Sequence, residues 1–600
     1  MSIASHTSTD DAVFGVTRSL NGRLWRLRPA APWAVGALTQ QLQVPEVIAR
    51  VLAGRGLDAE AAADFLNPTL KSAMPDPLVL KDMDAAAARV AEAIIGRETV
   101  AVFGDYDVDG ATSAALLMRF FKAVGSQLIP YIPDRLTEGY GPNTPALMKL
   151  REAGVSLVIT VDCGTLAYEP LATARAAGLD VVVVDHHLAE PGLPEAAAII
   201  NPNRLDDDSG LGQLAAVGVA FMLVVAVNRL LRQRGWYGRG IPEPDLLQWL
   251  DLVALGTVAD VVPLVGLNRA LVAQGLKVLA QTSNTGLKAL IKVARLDEPP
   301  TAYHLGFLLG PRVNAGGRVG EAAMGTRLLT CDDDVVAMEL AQALDRYNQE
   351  RQAIEAQVQD DALAQLGVRY GADVPPPLVY AAAPGWHVGV LGIVASRLKE
   401  KFDLPAVVIG LDGDIGKGSA RSIPGVDIGA AMTAAKQAGL LVNGGGHKMA
   451  AGLTVRAENI DALADFLRER LMEPVAAARV SAGLTLDGVL SVAGANLDLV
   501  ETLEQMGPFG TGNPTPKFGF SALKVAFADV VGSDHVRLTL EGLTGQRLKG
   551  IAFRCAATPL GQAFLGGMGR RFHVAGTLKR NAWNGRVSVD LMIDDAAPAD

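Results

Sequence analysis

Aspartates and histidines recur in four tight groups along this chain: FGDYDVDG from Phe103, VDCG from Val161, VDHH from Val184 and GTVADVVPL from Gly256. Three of the groups directly follow short apolar runs that read as strands, so side chains far apart in sequence can meet at one end of a sheet. Converging carboxylates repel one another unless cations hold them, and aspartates with one or two histidines suit Mn²⁺ or Mg²⁺ better than a structural Zn²⁺. Two neighbouring ions activate a water and stabilise the leaving oxygen of an in-line phosphoryl displacement, so the pattern suggests metal-assisted phosphoryl chemistry. A single D-x-D-x-D is as often a calcium-like or solvated loop, and His-His after a strand is more often structural. Four ordered groups outweigh both of these readings.

The elements that must position these residues follow from periodicity. In FGDYDVDG, Asp105, Asp107 and Asp109 alternate immediately after a strand, and Gly110 opens the next helix. Ligands of open parallel sheets gather outside the carboxyl ends of the strands, which is where Asp107, Asp162 and Asp185 fall. The strands are TVAVF, LIPYI, SLVITV and DVVVV, separated by helical stretches such as ATSAALLMRFFKAV. That alternation, beginning near Asp84, predicts a parallel sheet. Neither G-x-x-x-x-G-K-[ST] nor a strand-linked G-x-G-x-x-G occurs in this region, so carboxylates stand where nucleotide folds carry a phosphate-gripping loop.

From about Asp332 to Leu366 the chain contains neither Gly nor Pro and opens on Asp332, Asp333 and Asp334. This predicts one long helix, acidic where the macrodipole favours it, and a natural strut between domains. A second α/β unit follows from about Pro376 to Leu471, with strands PLVYAA and AVVIGL and the glycine-rich NGGGHKMAAG. After about Ala478 the strands KFGFSALKVAFADVV, HVRLTLEG, QRLKGIAF and FHVAGTLK, with a hairpin turning at Asn584-Gly585, predict a small barrel. Residues before Asp84 hold the helix-like VPEVIARVLAGRG and DAEAAADFL and the Pro-rich SAMPDPLVL. The expected order is an N-terminal extension (1–83), a catalytic domain (84–330), a connecting helix (331–370), a substrate-binding domain (371–475) and a nucleic-acid-binding barrel (476–600).

Bulk properties bound the class. A chain of 600 residues exceeds what one hydrophobic core supports. Cys163, Cys331 and Cys555 are too few and too scattered for a disulfide framework or a zinc cluster, which favours a reducing cytoplasm. The first fifteen residues lack the basic head and apolar core of a secretory signal. The apolar stretch from Leu214 to Val227 is shorter than the ~20 residues of a membrane span and reads as a buried helix. A net charge of −10 argues against a protein coated in nucleic-acid-binding surface, so a polyanion would need a local basic groove.

Taken together, DYDVDG, VDCG, VDHH and GTVADVVPL resemble the four motifs of the DHH phosphoesterase superfamily. PRVNAGGR from Pro311, WHVGVLGIVASR from Trp386, GSARS from Gly418 and GGGHKMAAG from Gly444 follow the order of its bacterial single-strand-specific 5′-to-3′ DNA exonucleases. The resemblance covers almost everything from Asp84 onward. It implies an α/β fold: a parallel-sheet DHH domain joined by a long helix to a second α/β DHH-associated domain, with a C-terminal OB-fold β-barrel. It implies Asp107, Asp109, Asp162, His186 and Asp260 as ligands of two divalent cations, Mn²⁺ or Mg²⁺, with Asp162 as the bridge. His187 then faces the scissile phosphate or orients the nucleophile. Asp105 and Asp185 support from behind, because a ligating histidine needs an acceptor for its other ring nitrogen. Many superfamily members begin the first motif with a histidine where this chain has Phe103.

An exonuclease that starts at a 5′ end must hold a terminal phosphate, which arginine does with a planar fork. The resemblance points to Arg135 in IPDRLTEGYG, Arg312 and Arg318 in PRVNAGGR, and Ser419 with Arg421 in GSARS. His447 adds a donor from a glycine-built anion nest, unless GGGHKMAAG is a plain turn capped by the histidine. Trp386 and His387 precede a helix, GVLGIVASRL, and either stack on a base or cap and pack that helix. In the barrel, Arg537, Lys549, Arg554, Arg570, Arg571, Lys579, Arg580 and Arg586 make a basic interval. Interleaved with Phe518, Phe553, Phe572 and Trp583, it suits a surface that tracks a backbone and stacks bases, half or more of the aromatics being core.

The expected function is a metal-dependent exonuclease that trims single-stranded DNA from its 5′ end to 5′-mononucleotides in repair and recombination. The alternatives are a phosphodiesterase of short oligonucleotides or cyclic dinucleotides, and a non-catalytic single-strand-binding scaffold, for which eroded carboxylates would be expected. A monomer without membrane contact, working with single-strand-binding protein and a RecQ-type helicase, is the partner expectation from the resemblance.

Overall fold

The computed structural model describes residues 12–134, 138–238, 240–371, 377–481, 483–583 and 586–599. The chain divides into two compact units, one drawn from residues 1–73 and 482–600, the other from 74–481. Residues 12–73 contribute strand β1 (Leu24–Leu27) and helices α1 (Pro32–Leu42) and α2 (Glu46–Gly54) to the first unit. Ile48, Ala49, Val51 and Leu52 of α2 recur at helical spacing and make one buried face.

The second unit carries the four acidic groups. Strands β2 (Val100–Gly104), β3 (Leu128–Tyr131), β4 (Leu157–Val161), β5 (Asp180–Val184) and β6 (Ala198–Ile200) form a parallel sheet in the order β3-β2-β4-β5-β6. Four of these are the strands expected from sequence; β6, three residues long, is too short to stand out. The chain leaves β2 for β3 on one side and β4 pairs on the other, so the carboxyl ends of β2 and β4 flank a topological switch point.

Helices α3 (Val108–Ala123), α4 (Ala216–Gln233), α5 (Leu250–Ala259) and α6 (Gly310–Val319) stand around that end of the sheet. By length and composition α4 could cross a membrane, but its residues from Ala216 to Val224 are buried, and it is a core helix. Helix α7 (Asp334–Tyr370) runs unbroken for 37 residues, with Asp333 as N-cap accepting the amides of Val335 and Val336 at 2.9 Å. Ala337, Leu340, Ala341 and Leu344 belong to the core around α3 and α5, while Val358, Ala362 and Leu366 belong to the core of the next sheet. One helix shared by two cores is the strut that the sequence predicts.

The second sheet contains β7 (Val379–Pro384), β8 (Ala406–Asp412), β9 (Ile415–Arg421), β10 (Asn443–His447) and β11 (Ala450–Arg456), ordered β10-β11-β9-β8-β7. Helix α8 (Leu391–Phe402) joins the parallel pair β7 and β8. The segment NGGGH is neither a nest nor a turn: it is the edge strand β10, paired antiparallel with β11. A Cβ at Gly446 would lie 2.4 Å from the Ala450 carbonyl oxygen, so glycine permits that close pairing.

In the first unit, β12 (Gly483–Leu486) pairs in parallel with β1, and β13 (Gly488–Val489) with β14 (Phe518–Val531). Strands β14, β15 (His535–Glu541), β16 (Arg547–Ala552), β17 (Arg571–Trp583) and β18 (Arg586–Pro598) close into a barrel through the β14–β17 pairing. Phe518 and Phe572 lie in its core together with Leu38, Ile48 and Leu52, whereas Phe553 is exposed. Residues 12–73 are thus part of the barrel's own core, a contact between chain ends that local pattern does not carry. The Asn584-Gly585 turn lies outside the described residues.

Candidate metal centre

Strands β2, β4, β5 and β6 end in register, with Gly104 opposite Val161, Val161 opposite Val184 and Val184 opposite Ile200. The ladder continues one amide further: Asp105 N–H to Val161 O, Asp162 N–H to Val184 O and Asp185 N–H to Ile200 O. Asp105, Asp162, Asp185 and Asn201 therefore stand in a row along the carboxyl edge of the sheet. At Asp162 the backbone turns left-handed, with φ of 62°. For a non-glycine residue this strain is of order 1–3 kcal/mol and persists only where surrounding contacts hold it. One such contact is the Tyr140 hydroxyl, which donates to the Asp162 carbonyl at 2.9 Å.

The other aspartates approach from the helices. Asp107 caps α3, its Oδ1 accepting the amides of Asp109 (2.9 Å) and Gly110 (3.1 Å). A Cβ at Gly110 would lie 2.4 Å from the Asp105 carbonyl oxygen, so the glycine lets the loop fold this tightly. Asp109 is buried and accepts the Ala216 and Val217 amides at the start of α4, at 2.7 and 2.9 Å, where the helix dipole favours an anion. Helix α5 ends at Asp260, which caps it.

Of the histidines, His186 donates from Nδ1 to the Leu214 carbonyl at 3.0 Å, a bond that fixes the tautomer. Its Nε2 then faces Asp162 Oδ1 at 3.3 Å, Asp260 Oδ2 at 3.6 Å and Asp109 Oδ2 at 3.9 Å. Asp185 accepts the His186, His187 and Thr165 amides and, at 2.7 Å, His187 Nδ1. Burial alone would raise the Asp185 carboxyl, but the His187 bond and charge, with the Thr165 bonds, outweigh it and hold it well below the usual range. Against its own burial, His187 is in turn held above the ordinary imidazole value, first by the Asp185 hydrogen bond.

Asp109, Asp162 and Asp260 are shifted the other way. Burial first, and the neighbouring Asp107 charge second, push Asp109 up to about 7. Burial with the charges of Asp109 and Asp107 pushes Asp260 up to about 9, and Asp162 is also raised well above the carboxylate range. Asp162 Oδ1 is buried and accepts no hydrogen bond among the described residues. Buried like charges of this kind call for cations. Three sets of potential ligand atoms lie within 4.8 Å of one another: Asp162, His186 and His187; Asp109, His186 and Asp260; and Asp105, Asp107 and Asp162. A donor set of oxygens with imidazole fits Mn²⁺ or Mg²⁺. Asp105, expected in a supporting place, is the first residue beyond β2 and lies beside Asp162 in the ladder, close enough to Asp107 and Asp162 to share an ion with them, while Asp185 accepts from His187.

The expected phosphate contacts fare unevenly. Arg135 lies outside the described residues. Arg312, also expected at a phosphate, donates to Asp345 of α7 at 2.8 Å and to the Leu308 carbonyl at 2.7 Å, and so ties α6 to α7. Arg318 donates to the Gly389 carbonyl at 2.9 Å, and His387 Nδ1 accepts the Gly389 amide at 3.1 Å. Trp386 is 7% exposed and packs within the second core, as its packing alternative expects. Ser419 and Arg421 share one face of β9 over the start of α8. A Cβ at Gly392 would lie 2.8 Å from Arg421 Nη2 and 3.5 Å from Ser419 Oγ, so the missing side chain leaves both groups room there. His447 is exposed on the edge strand.

Three functional residues escape sequence reasoning. Besides Tyr140, Asn201 donates from Nδ2 to Thr165 Oγ1 (2.9 Å) and the His187 carbonyl (2.8 Å), and Asn203 to the His186 carbonyl (2.6 Å). The signal that could have found the asparagines is NPN placed directly after the apolar AAAII.

Comparison with known proteins agrees with this geometry. The family described as DHH family, N-terminal domain, matches residues 99–257, the DHHA1 domain matches 376–473 and the RecJ OB domain matches 486–595. The chain is 35% identical over 580 residues to the single-stranded-DNA-specific exonuclease RecJ of Bacillus subtilis (strain 168), covering 96% of this chain and 70% of that protein. It matches the crystal structure of RecJ in complex with Mn²⁺ from Thermus thermophilus with a TM-score of 0.79 and 29% identity, over 95% of this chain and 79% of that one. The Mg²⁺ complex of the same protein matches with a TM-score of 0.74 and 29% identity, over 96% and 78%. The chain belongs to the RecJ family of single-stranded-DNA-specific exonucleases.

Proposed function

We propose that this chain is a divalent-cation-dependent exonuclease that degrades single-stranded DNA from its 5′ end and releases 5′-mononucleotides, acting in DNA repair and recombination. The observation that carries the reading is the row of Asp105 and Asp162 at the sheet edge, meeting Asp107, Asp109, His186 and Asp260 in one crevice. The activity named for the Bacillus relative, and the Mn²⁺ and Mg²⁺ in the Thermus structures, support it.

Asp109, His186 and Asp260 would hold one ion, and Asp105, Asp107 and Asp162 a second. When bound, the ions supply Lewis acidity for in-line attack of water on a phosphodiester. The chain's own residues do the positioning. Asp185 holds His187 at the rim of the carboxylates, where the ring would meet the phosphoryl group. Asn201 and Asn203 pin the backbone of the two histidines, and the start of α4 anchors Asp109. Ser419 and Arg421 over the start of α8 would take the terminal phosphate. A single-strand substrate fits a RecQ-type helicase and single-strand-binding protein as partners, and three free cysteines suit the reducing cytoplasm.

The test is hydrolysis by the full-length protein with Mn²⁺ of 5′-labelled single strands, duplex DNA and a cyclic dinucleotide, with and without chelator. Metal-dependent release of mononucleotides from single strands supports the reading. Turnover confined to the cyclic dinucleotide, or binding without turnover, overturns it.

A further inference from the structure

We propose that Tyr140, Leu166 and Leu188 form an apolar cradle for a nucleobase flanking the scissile phosphodiester, an inference that rests on the exonuclease reading above. All three side chains are half or more exposed, at 53%, 50% and 60%. Single exposed leucines are ordinary on a protein surface, but these two directly follow Thr165 and His187 of the candidate centre. Leu166 follows Thr165, whose amide donates to Asp185, and Leu188 follows His187. Asn201 ties the two loops together by donating to both Thr165 Oγ1 and the His187 carbonyl. A second tie is the Tyr168 hydroxyl, which donates to the Gly192 carbonyl at 2.8 Å. Leu166 and Leu188 are therefore held on neighbouring loops beside His187.

Tyr140 completes the rim from a third loop. Its hydroxyl is turned inward to the Asp162 carbonyl, and its ring stands edge-on to His187, with centroids 5.7 Å apart and an interplanar angle of 67°. The polar end of the tyrosine is thus used, and what it offers outward is ring. Two leucines and a tyrosine ring present no group that reads a base edge, while every base has a π-face to lay against them. Such a cradle would orient the nucleotide at the cleavage point without preferring a sequence, as an enzyme that trims whatever strand it meets requires.

The test compares the wild type with a Leu166→Ala/Leu188→Ala double variant on single strands that are intact or carry one abasic residue at the first or the second position. Both leucines are exposed, so the variant should keep its fold, which Mn²⁺ titration checks. For the wild type we expect kcat/KM to fall about five- to tenfold when one of the two bases is missing, in line with loss of one stacked base. In the double variant that penalty should shrink towards onefold, and the position at which it does so identifies the base. An equal penalty in both proteins, or none in the wild type, overturns the cradle. Failure of the wild type to hydrolyse the intact strand instead overturns the exonuclease reading, and loss of all hydrolysis in the double variant alone overturns the cradle, whose removal should cost no more than one stacked base.

Discussion

Asp185 Oδ1 lies 2.7 Å from His187 Nδ1, yet Asp185 belongs to none of the ligand sets, whereas Asp162 belongs to two. The two aspartates should therefore fail differently. Asp185→Asn keeps the shape but loses the charge that raises the His187 pKa and weakens the hydrogen bond that orients its ring, and losses of roughly 10–100-fold are usual for such supporting partners. We expect kcat on single strands to fall by that amount with the Mn²⁺ stoichiometry intact. Asp162→Ala removes a carboxylate common to two of those sets and should lower activity by several orders of magnitude together with Mn²⁺ binding. Calorimetric Mn²⁺ titration of both variants decides it, and equal loss of metal by the two would refute the distinction.

The raised carboxyls give a pH dependence with a definite sign. An aspartate unfolds to a pKa of roughly 3.9, whereas Asp109 at about 7 and Asp260 at about 9 retain their protons longer in the folded protein. Between those limits the folded state binds more protons than the unfolded one, so the metal-free protein should lose stability as pH rises from 5 to 9. Divalent ions replace those protons, and their stabilising effect should grow over the same interval. Thermal melts with chelator and with Mn²⁺ across that range provide the measurement. A Mn²⁺-induced rise in Tm that is flat or shrinks with pH would contradict the assignment.

Much of this centre is legible in the sequence because its parts obey local rules. Strand runs and the long helix expected from about Asp332 need only near neighbours to form, and the family motifs then supply the expected ligand set. What fails to show is whatever depends on contacts between distant segments. The ladder that sets Asp105 beside Asp162, and the core in which Trp386 is buried, form only when distant segments meet. Arg312 resembles a phosphate ligand in a glycine-rich stretch, but its partner Asp345 sits on another helix. The glycine-rich edge strand was hidden because glycine signals a turn more often than a strand.

Gly256 shows how the fourth motif reaches the crevice. A Cβ there would lie 2.2 Å from Thr112 Oγ1 and 2.8 Å from Val217 Cγ1, both on helices that hold Asp109. Gly256→Ala should push α5 away from α3, destabilise the protein by about 1–3 kcal/mol and displace Asp260. Urea unfolding reports the first effect and a weakened Mn²⁺ affinity the second. Wild-type values for both would show that the close approach is dispensable.

Asp595 shows what the N-terminal residues do. It is fully buried on β18 and accepts Ser19 Oγ–H at 2.6 Å and Trp25 Nε1–H at 3.0 Å, so the last strand of the barrel closes on the first residues described. Asp595→Ala takes this acceptor from Ser19, Trp25 and the Ala596 amide, and a buried donor left unpaired costs about 1–3 kcal/mol. Leu52→Ala, within the core that α2 shares with the barrel, should cost about 2–5 kcal/mol. Both variants should lower the unfolding transition of the barrel unit and speed proteolysis within residues 12–73, while Mn²⁺ binding is unchanged because every candidate ligand lies in the other unit. Faster nicking of the N-terminal segment with an unaltered barrel transition would mean that the segment lies on the barrel without stabilising it.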